Sequence, residues 1–313
     1  MNDVINYLGL DINSSAESIL KKIHLKRNKN SFPHFIIKFL EQEYLKTNDI
    51  RYFNELLWLF GDEPILSNTL LQHFNCNIKN RKYSFPFEKK LEYCLTLSSS
   101  KVHVDLNYFS CNKIALIGNP LHFILPYLKF KKNKINVDVI NVKYHPNKKL
   151  KILFNNKIIT FFFKFFFGQG YTEIVINAKN ELKNFKINEQ YDVGFHKLSF
   201  IIGDNVISSF NKGLINDHWG ALPLFKGRST LLYSKLFGAK KIVTNHLITN
   251  EIDAGKILLY TEINNKKDIY WGLKDRVYKS INLLCKSSFV DVDNKMGKMF
   301  YEMHPWLIKQ LKK

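Results

Sequence analysis

Two polar segments of the chain carry residue types that suit carbonyl chemistry. In the first, an apolar run ends at Ile215 and is followed at once by Asn216 and His218, an amide and an imidazole that can polarise a carbonyl and move a proton. Two residues apart in an extended segment, they should point to the same side. The second segment contains His246, a polar loop with the carboxylate of Asp253, and the start of another apolar run. Taken singly, such a histidine or such an aspartate before a glycine is more typical of a structural or turn residue.

The elements that must position these residues have the pattern of an α/β fold. The apolar run 113–118 ends in a glycine turn and precedes an amphipathic stretch over 121–130, which is the opening of a βαβ unit. Further strands are predicted at 137–142, 157–163, 173–176, 192–195, 213–216, 241–246 and 257–261. This alternation predicts an open sheet with its site at the carboxyl ends of the strands. No G-x-G-x-x-G or P-loop pattern is present in the sequence.

The rest of the chain reads as mainly helical. Apolar residues recur at three-to-four spacing from the N-terminus to about residue 95, with helix-start signals at Ser14-Ser15 and Asn48-Asp49. After the last predicted strand, 270–284 and 295–312 read as partly helical. We therefore predict a helical N-terminal domain over 1–105, a catalytic α/β domain over 106–262 and a short C-terminal region over 263–313.

The amino-acid composition indicates which classes of partner and which cellular compartment to expect. The formal net charge is +20, but the basic residues are almost all lysine, with arginine at five positions, so we interpret the charge as a solvated surface and not as a nucleic-acid face. The four cysteines form no C-x-x-C pair and predict reduced thiols in a cytoplasmic protein. The most apolar stretch, 158–167, is ten residues long and contains Lys164, which is too short for a membrane span.

Taken together, the polar motifs resemble the catalytic core of the 10-formyltetrahydrofolate-dependent formyltransferases, a family that includes sugar N-formyltransferases and the catalytic domain of methionyl-tRNA formyltransferase. The resemblance spans about 113–261 and implies a Rossmann-like open sheet as the core. The family pattern is an N-x-H, then L-P and a basic-glycine pair, then a histidine strand, then D-x-G before a strand. Here it is matched by Asn216 and His218, Leu222-Pro223, Lys226-Gly227, His246, and Asp253-Ala254-Gly255.

The resemblance implies a catalytic trio of Asn216, His218 and Asp253. Asn216 and a protonated His218 would stabilise the oxyanion formed when an amine attacks the formyl carbon. Asp253 would hold His218 in its charged form and assist removal of the amine proton. The cofactor-binding residues would be His246 and the pterin loop formed by Thr249, Asn250, Glu251 and Ile252.

The resemblance also implies that the formyl donor is 10-formyltetrahydrofolate and that no metal takes part. Substrate binding is assigned to Lys226, Arg228 and Trp219. The family often has arginine at the position of Lys226 and a proline at that of Trp219. Trp219 is therefore left open between stacking on the acceptor and packing in the core.

The acceptor is expected to be a nucleotide-linked amino sugar, as in polysaccharide or lipopolysaccharide biosynthesis. About fifty residues follow the core, which is short for the C-terminal barrel of a methionyl-tRNA formyltransferase. A formyltetrahydrofolate hydrolase is a second alternative, disfavoured because its N-terminal domain is α/β. A basic nucleic-acid-binding or scaffold protein is the alternative from another class. The sequence leaves a homodimer open.

Overall fold

The computed structural model describes residues 1–27, 32–61, 66–79, 83, 92, 95, 111–144, 157–176, 181–182, 185–292 and 297–312. The chain forms two compact units. The helical unit comprises Met1–Glu88, Leu224–Lys241 and Gly297–Lys313, and the sheet unit comprises Lys89–Pro223 and Ile242–Met296. The boundaries expected at 105 and 262 stay predictions.

The described helices are, in chain order, α1 (Asn2–Leu8), α2 (Ala16–Lys26), α3 (His34–Thr47), α4 (Ile50–Phe60), α5 (Asn68–Lys79), α6 (Ile124–Lys132), α7 (Lys157–Phe167), α8 (Asp204–Ile207), α9 (Thr230–Leu236), α10 (Lys266–Trp271), α11 (Leu273–Cys285) and α12 (Pro305–Gln310). The described strands are β1 (Lys113–Gly118), β2 (Asn136–Tyr144), β3 (Tyr171–Ile176), β4 (Tyr191–Lys197), β5 (Phe210–His218), β6 (Phe225–Gly227), β7 (Ile242–Leu247), β8 (Ile257–Glu262) and β9 (Lys298–Phe300).

The helical unit holds the predicted N-terminal helices. The two expected start signals act as caps: the Ser15 hydroxyl accepts a hydrogen bond from the Ser18 amide, and the Asp49 carboxylate accepts one from the Arg51 amide. The core includes the stacked rings of Phe53 and Phe74. Strands β6 and β9 pair in parallel within this unit.

The sheet unit is built on one mostly parallel sheet, which confirms the predicted fold class. The strand order among the described strands is β3-β2-β1-β4-β5-β7-β8. Strands β1 to β5 pair in parallel, whereas β7 pairs antiparallel with both β5 and β8. Both faces of the sheet carry buried apolar clusters. On one of them α6 meets α11, where the rings of Phe130 and Tyr278 stack at 5.4 Å.

Two predicted elements differ from the structure. The stretch 157–163, predicted as a strand, belongs to helix α7. It is apolar at nearly every position, so its sequence does not distinguish period 2 from period 3.6. The C-terminal stretch 295–312, predicted as partly helical, contains β9 before the short helix α12; residues 295 and 296 lie outside the described residues.

The expectation of four reduced thiols is wrong for one pair. Cys111, just before β1, and Cys285, the last residue of α11, form a disulfide across 174 residues of sequence. The fold places the start of β1 beside the end of α11. Because this contact joins distant parts of the chain, the spacing of the cysteines in the sequence does not predict the pairing. Cys76 is exposed, and Cys94 lies outside the described residues.

Candidate active site

The end of strand β5 places the first two predicted catalytic residues. Asn216 lies opposite His246 in the antiparallel register with β7, and opposite His196 in the parallel register with β4. His218 is the last residue of β5. Because side chains alternate along a strand, Asn216 and His218 share one face of the sheet and Asp217 lies on the other.

The carboxylate of Asp253 lies against this face. It belongs to the loop between β7 and β8, with a left-handed backbone at φ 54°, a conformation that aspartate tolerates better than most residues. Its Oδ1 is 3.5 Å from Nδ1 of His218 and 3.7 Å from Nε2 of His246. The structure therefore brings the predicted trio and His246 into one cluster.

Gly255 fixes the approach of this loop to the sheet. A Cβ built at this position would lie 1.7 Å from the carbonyl oxygen of Leu247 in β7, a distance that no side chain can accept. The Leu247 amide donates to the Lys256 carbonyl next to it. The D-x-G motif thus joins a carboxylate to the one residue type that allows its loop to lie so close to β7.

His246 is a neutral orienting group at the centre of the cluster. Burial lowers its pKa to about 4, although the nearby carboxylate of Asp253 opposes the shift. A neutral imidazole can accept a hydrogen bond, and the amide nitrogen of Asn216 lies 3.3 Å from Nε2 of His246. The ring of His246 stands at 85° to that of His218, with 6.1 Å between centroids. His246 therefore holds the Asn216 amide in a set orientation.

His196, on the neighbouring strand β4, continues this row of polar side chains. Burial lowers its pKa to about 3, and its Nδ1 accepts a hydrogen bond from the Leu198 amide. His196 belongs to none of the sequence motifs, and only its position directly after the predicted strand 192–195 signals it. Asn216 is thus flanked in register by two neutral, buried imidazoles.

Asp217 forms a buried charge network on the opposite face of β5. Its Oδ1 accepts from Nε of Arg276 at 2.9 Å and from the side-chain amide of Asn245 at 3.0 Å. Its Oδ2 accepts from Arg276, Lys197 and Trp219 at 3.1, 3.1 and 3.4 Å. Burial alone would raise the pKa of Asp217, but Lys197 and Arg276 lower it to about 2. The residue between Asn216 and His218 is therefore an anionic anchor of the strand end.

The turn after His218 is tied to the next two strands. The Leu222 amide donates to the Thr244 hydroxyl at 3.1 Å, and this hydroxyl donates to the Gly220 carbonyl at 2.6 Å. The Tyr260 hydroxyl donates to the Leu222 carbonyl at 2.5 Å. These bonds fix the turn through β7 and β8 and so limit the positions open to His218.

The predicted residues of the pterin loop lie together in the structure. Thr249, Asn250, Glu251 and Ile252 lie in the exposed loop between β7 and β8, and the Thr249 hydroxyl donates to the Glu251 carbonyl. They belong to the same loop as Asp253, and their role toward a pterin stays a prediction.

The three predicted substrate-binding residues do not share one unit. Trp219 lies in the sheet unit, 36% exposed, with the Lys197 ammonium 4.9 Å from its ring centroid. It therefore touches the Asp217 network and still offers part of its surface to solvent. Lys226 and Arg228 belong to the helical unit, where Arg228 is 3.6 Å from Glu302.

No protein-family model matches the chain. Formyltetrahydrofolate deformylase 2, mitochondrial, of Arabidopsis thaliana is 37% identical over 59 residues, which are 18% of this chain and 18% of that protein. The chain is therefore matched over less than a fifth of the length of this curated relative.

Solved structures with a similar fold include a sugar N-formyltransferase from a Shewanella species (16% identity, 60% of this chain and 76% of that chain, TM-score 0.43). Others are a 4-N formyltransferase from Francisella tularensis (19%, 61% and 76%, 0.40) and methionyl-tRNA formyltransferase from Clostridium thermocellum (16%, 62% and 74%, 0.36). These names match the family that the motifs resemble. At this identity and TM-score, the activity has to be argued from the residues of the site.

Proposed function

We propose that the protein transfers a formyl group from 10-formyltetrahydrofolate to the amine of a nucleotide-linked amino sugar. The observation that carries the proposal is the joint placement of Asn216, His218 and Asp253 around His246, with Asp253 Oδ1 within 3.7 Å of both imidazoles. An amide N–H donor, an ionisable imidazole and a carboxylate in one cluster suit attack of a neutral amine on a formyl carbon.

The reaction forms a bond between the amine nitrogen and the formyl carbon and breaks the bond from that carbon to the donor nitrogen. Asn216 donates a hydrogen bond to the developing oxyanion, and a protonated His218 donates a second, charge-assisted one. Asp253 receives the proton that the attacking amine loses, directly or through water, and the donor nitrogen leaves with a proton. His246 stays neutral and keeps the Asn216 amide oriented.

The loop 249–252 is the place at which we expect the pterin of the donor, because it leads directly into Asp253 and its four residues are exposed. The local match to a formyltetrahydrofolate deformylase supports a formyl-carrying folate as the donor. The amino sugar as acceptor rests on the family resemblance, and Trp219 is the aromatic surface nearest to the cluster in sequence.

A formyltetrahydrofolate hydrolase is the second candidate, because the curated relative with a local match is named for removing the formyl group. The same trio would then direct water to the formyl carbon. The two candidates differ in one measurable respect, since the hydrolase consumes the donor without an amine acceptor.

The test is the absorbance change as 10-formyltetrahydrofolate becomes tetrahydrofolate, measured with a panel of nucleotide-linked 3-amino and 4-amino sugars. We expect turnover only with an amino sugar, and a loss of about two to three orders of magnitude in Asn216→Ala and His218→Ala. His34→Ala removes an exposed histidine of α3 and is the matched control. Turnover without an acceptor would favour the hydrolase, and no turnover with any acceptor would overturn the proposal.

A further inference from the structure

Helix α7 exposes an unusual amount of apolar surface. Six of its eleven residues are large apolar side chains that are at least 42% exposed, and Phe165 reaches 81%. They are Ile158, Ile159, Phe161, Phe162, Phe165 and Phe166. A helix that packs one face and leaves rings of this size in water is a site of contact with a partner or a membrane.

The helix is held in the orientation that exposes these rings. On its inner side the Thr160 hydroxyl donates to Glu173 of β3 at 3.2 Å, and the ring of Phe167 stacks on Tyr171 at 5.9 Å. The hydroxyl of Tyr127, in α6, donates to the Phe167 carbonyl at 3.0 Å. Rotating α7 to bury its outer rings would break all three contacts, so their exposure belongs to the folded state.

The neighbouring helix α6 adds to this surface. Leu125 and Leu128 are 39% and 47% exposed, and Leu121 just before the helix is 62% exposed. Positions 121, 125 and 128 are spaced by four and three residues, which places their side chains along one side of a helical path. Two adjacent helices of the sheet unit thus carry outward aliphatic and aromatic side chains.

The charge of the same stretch is strongly positive. From Lys129 to Lys164 the sequence contains ten lysines and one acidic residue, Asp138. Among the described residues, Lys131, Lys132, Lys134 and Lys164 are exposed. Lys164 lies within the apolar face of α7 itself. A long lysine side chain there can leave its stem among apolar groups and reach outward with its ammonium group.

We propose that α7 and the exposed side of α6 form a docking surface for an anionic membrane surface, with the rings of α7 entering the headgroup region and the lysines contacting lipid phosphates. Among the described residues, no helix is long and apolar enough to cross a bilayer, so the contact would be lateral. Each lysine near an anionic leaflet adds to binding, and the apolar side chains add a part that salt does not screen.

Two other occupants fit the surface less well. A second copy would bring the same lysines face to face, which like-charge repulsion opposes. Single-stranded nucleic acid would use stacked rings and arginine, but Ile158, Ile159 and Leu125 cannot stack, and the stretch from Lys129 to Lys164 contains no arginine.

The test is co-sedimentation of the full chain with vesicles of phosphatidylcholine alone and of phosphatidylcholine mixed with phosphatidylglycerol. We expect binding to the anionic vesicles, weakened at about 1 M salt, where the Debye length is about 3 Å. The double variant Phe162→Ser/Phe165→Ser should lower the partition coefficient about tenfold or more. Lys164→Glu should lower binding to the anionic vesicles and leave any binding to phosphatidylcholine unchanged. Phe60→Ser, which removes a 36% exposed ring at the end of α4, is the matched control and should bind like the unaltered protein.

Three outcomes would overturn the proposal. The first is equal sedimentation with and without anionic vesicles. The second is a dimer in sedimentation velocity that dissociates in the Phe162→Ser/Phe165→Ser variant, which would assign the surface to a second copy. The third is salt-dependent retention of single-stranded nucleic acid that the same variant abolishes. Formyl transfer measured in solution is a separate readout, so failure of the proposed function would leave vesicle binding unaffected.

Discussion

Replacing Asp217 by asparagine should destabilise the end of β5 more than any surface charge change. The side chain of Asp217 is fully buried, that of Arg276 is 2% exposed and that of Lys197 is 11% exposed. Asparagine keeps the Oδ1 acceptor for Arg276 Nε but puts an N–H donor at the position of Oδ2. That position faces three donors, from Arg276, Lys197 and Trp219.

The expected loss of stability follows from the number of donors that lose their acceptor. Removing one partner of a buried ion pair typically costs about 3–5 kcal/mol, because the remaining charge is left without compensation. In Asp217→Asn, Arg276 and Lys197 lose the anion that they share. The remaining side-chain oxygen can accept hydrogen bonds from only some of the former donors, so we expect the variant to lose about 4 kcal/mol of stability. Asp275→Asn is the matched control, since Asp275 is 53% exposed and its pair with Lys129 should contribute about 1 kcal/mol or less.

The assay is native-state hydrogen exchange of the β5 and β7 amides at neutral pH, which reports local opening free energies in a chain of two units. A double-mutant cycle with Arg276→Met adds a second criterion: the two single changes should sum to about 2 kcal/mol more than the double change, because each already breaks the same contact. Additive changes, or a cost of Asp217→Asn no larger than that of Asp275→Asn, would refute the argument that this network anchors the strand.

Two further predictions concern pH and the loop that carries Asp253. The pKa of His246 falls from 6.5 unfolded to about 4 folded, so the unfolded state binds more protons between these values. The contribution of His246 to stability should be complete above about pH 6.5 and fall by about 3 kcal/mol toward pH 4, in addition to the contribution of His196, whose pKa burial also lowers. Urea unfolding at a series of pH values should show this decrease of the unfolding free energy with falling pH. The decrease should be smaller in His246→Gln, and an equal decrease in that variant would contradict the prediction. Gly255→Ala should lower formyl transfer at least about tenfold, since its Cβ would lie 1.7 Å from the Leu247 carbonyl oxygen, whereas Ala254→Gly should stay close to the unaltered protein. Equal turnover of the two variants would show that the loop does not need this close approach.

The sequence supported the fold because its strands have distinct signals. The predicted strand 113–118 is apolar from Ile114 onward and ends in a glycine turn, and β1 has these bounds in the structure. Helix α7 was missed since phenylalanine and isoleucine favour strands and fill nearly every position, so nothing marked the inner face of Thr160, Phe163 and Phe167. These inner residues are spaced by three and four positions, as on one face of a helix. They can be recognised as a face only once the structure shows that they pack toward β3.

The site divides in the same way. The grouping of Asn216, His218 and Asp253 could be predicted because each stands in a short motif with fixed spacing, whereas their catalytic roles stay a prediction. The network around Asp217 could not, because Arg276 lies 59 residues away in sequence and a charged residue within a strand end is usually a solvated one. Long-range pairing of buried charges has no local pattern, and the same holds for the disulfide between Cys111 and Cys285.

The alternation of side chains along β5 connects the cluster around His246 with the charge network around Asp217. Asn216 and His218 can share one face of the sheet only if the residue between them faces the opposite side. Asp217 instead is bound through both oxygens to Arg276, whose guanidinium also donates to the Ile269 carbonyl of α10. The backbone at Asn216 and His218 is thereby fixed to α10 and α11 on one side of the sheet and to the His246 cluster on the other. The orientation of Asn216 and His218 therefore depends on the buried charge behind them as much as on the residues beside them, and this is the precision that the proposed oxyanion donors would need.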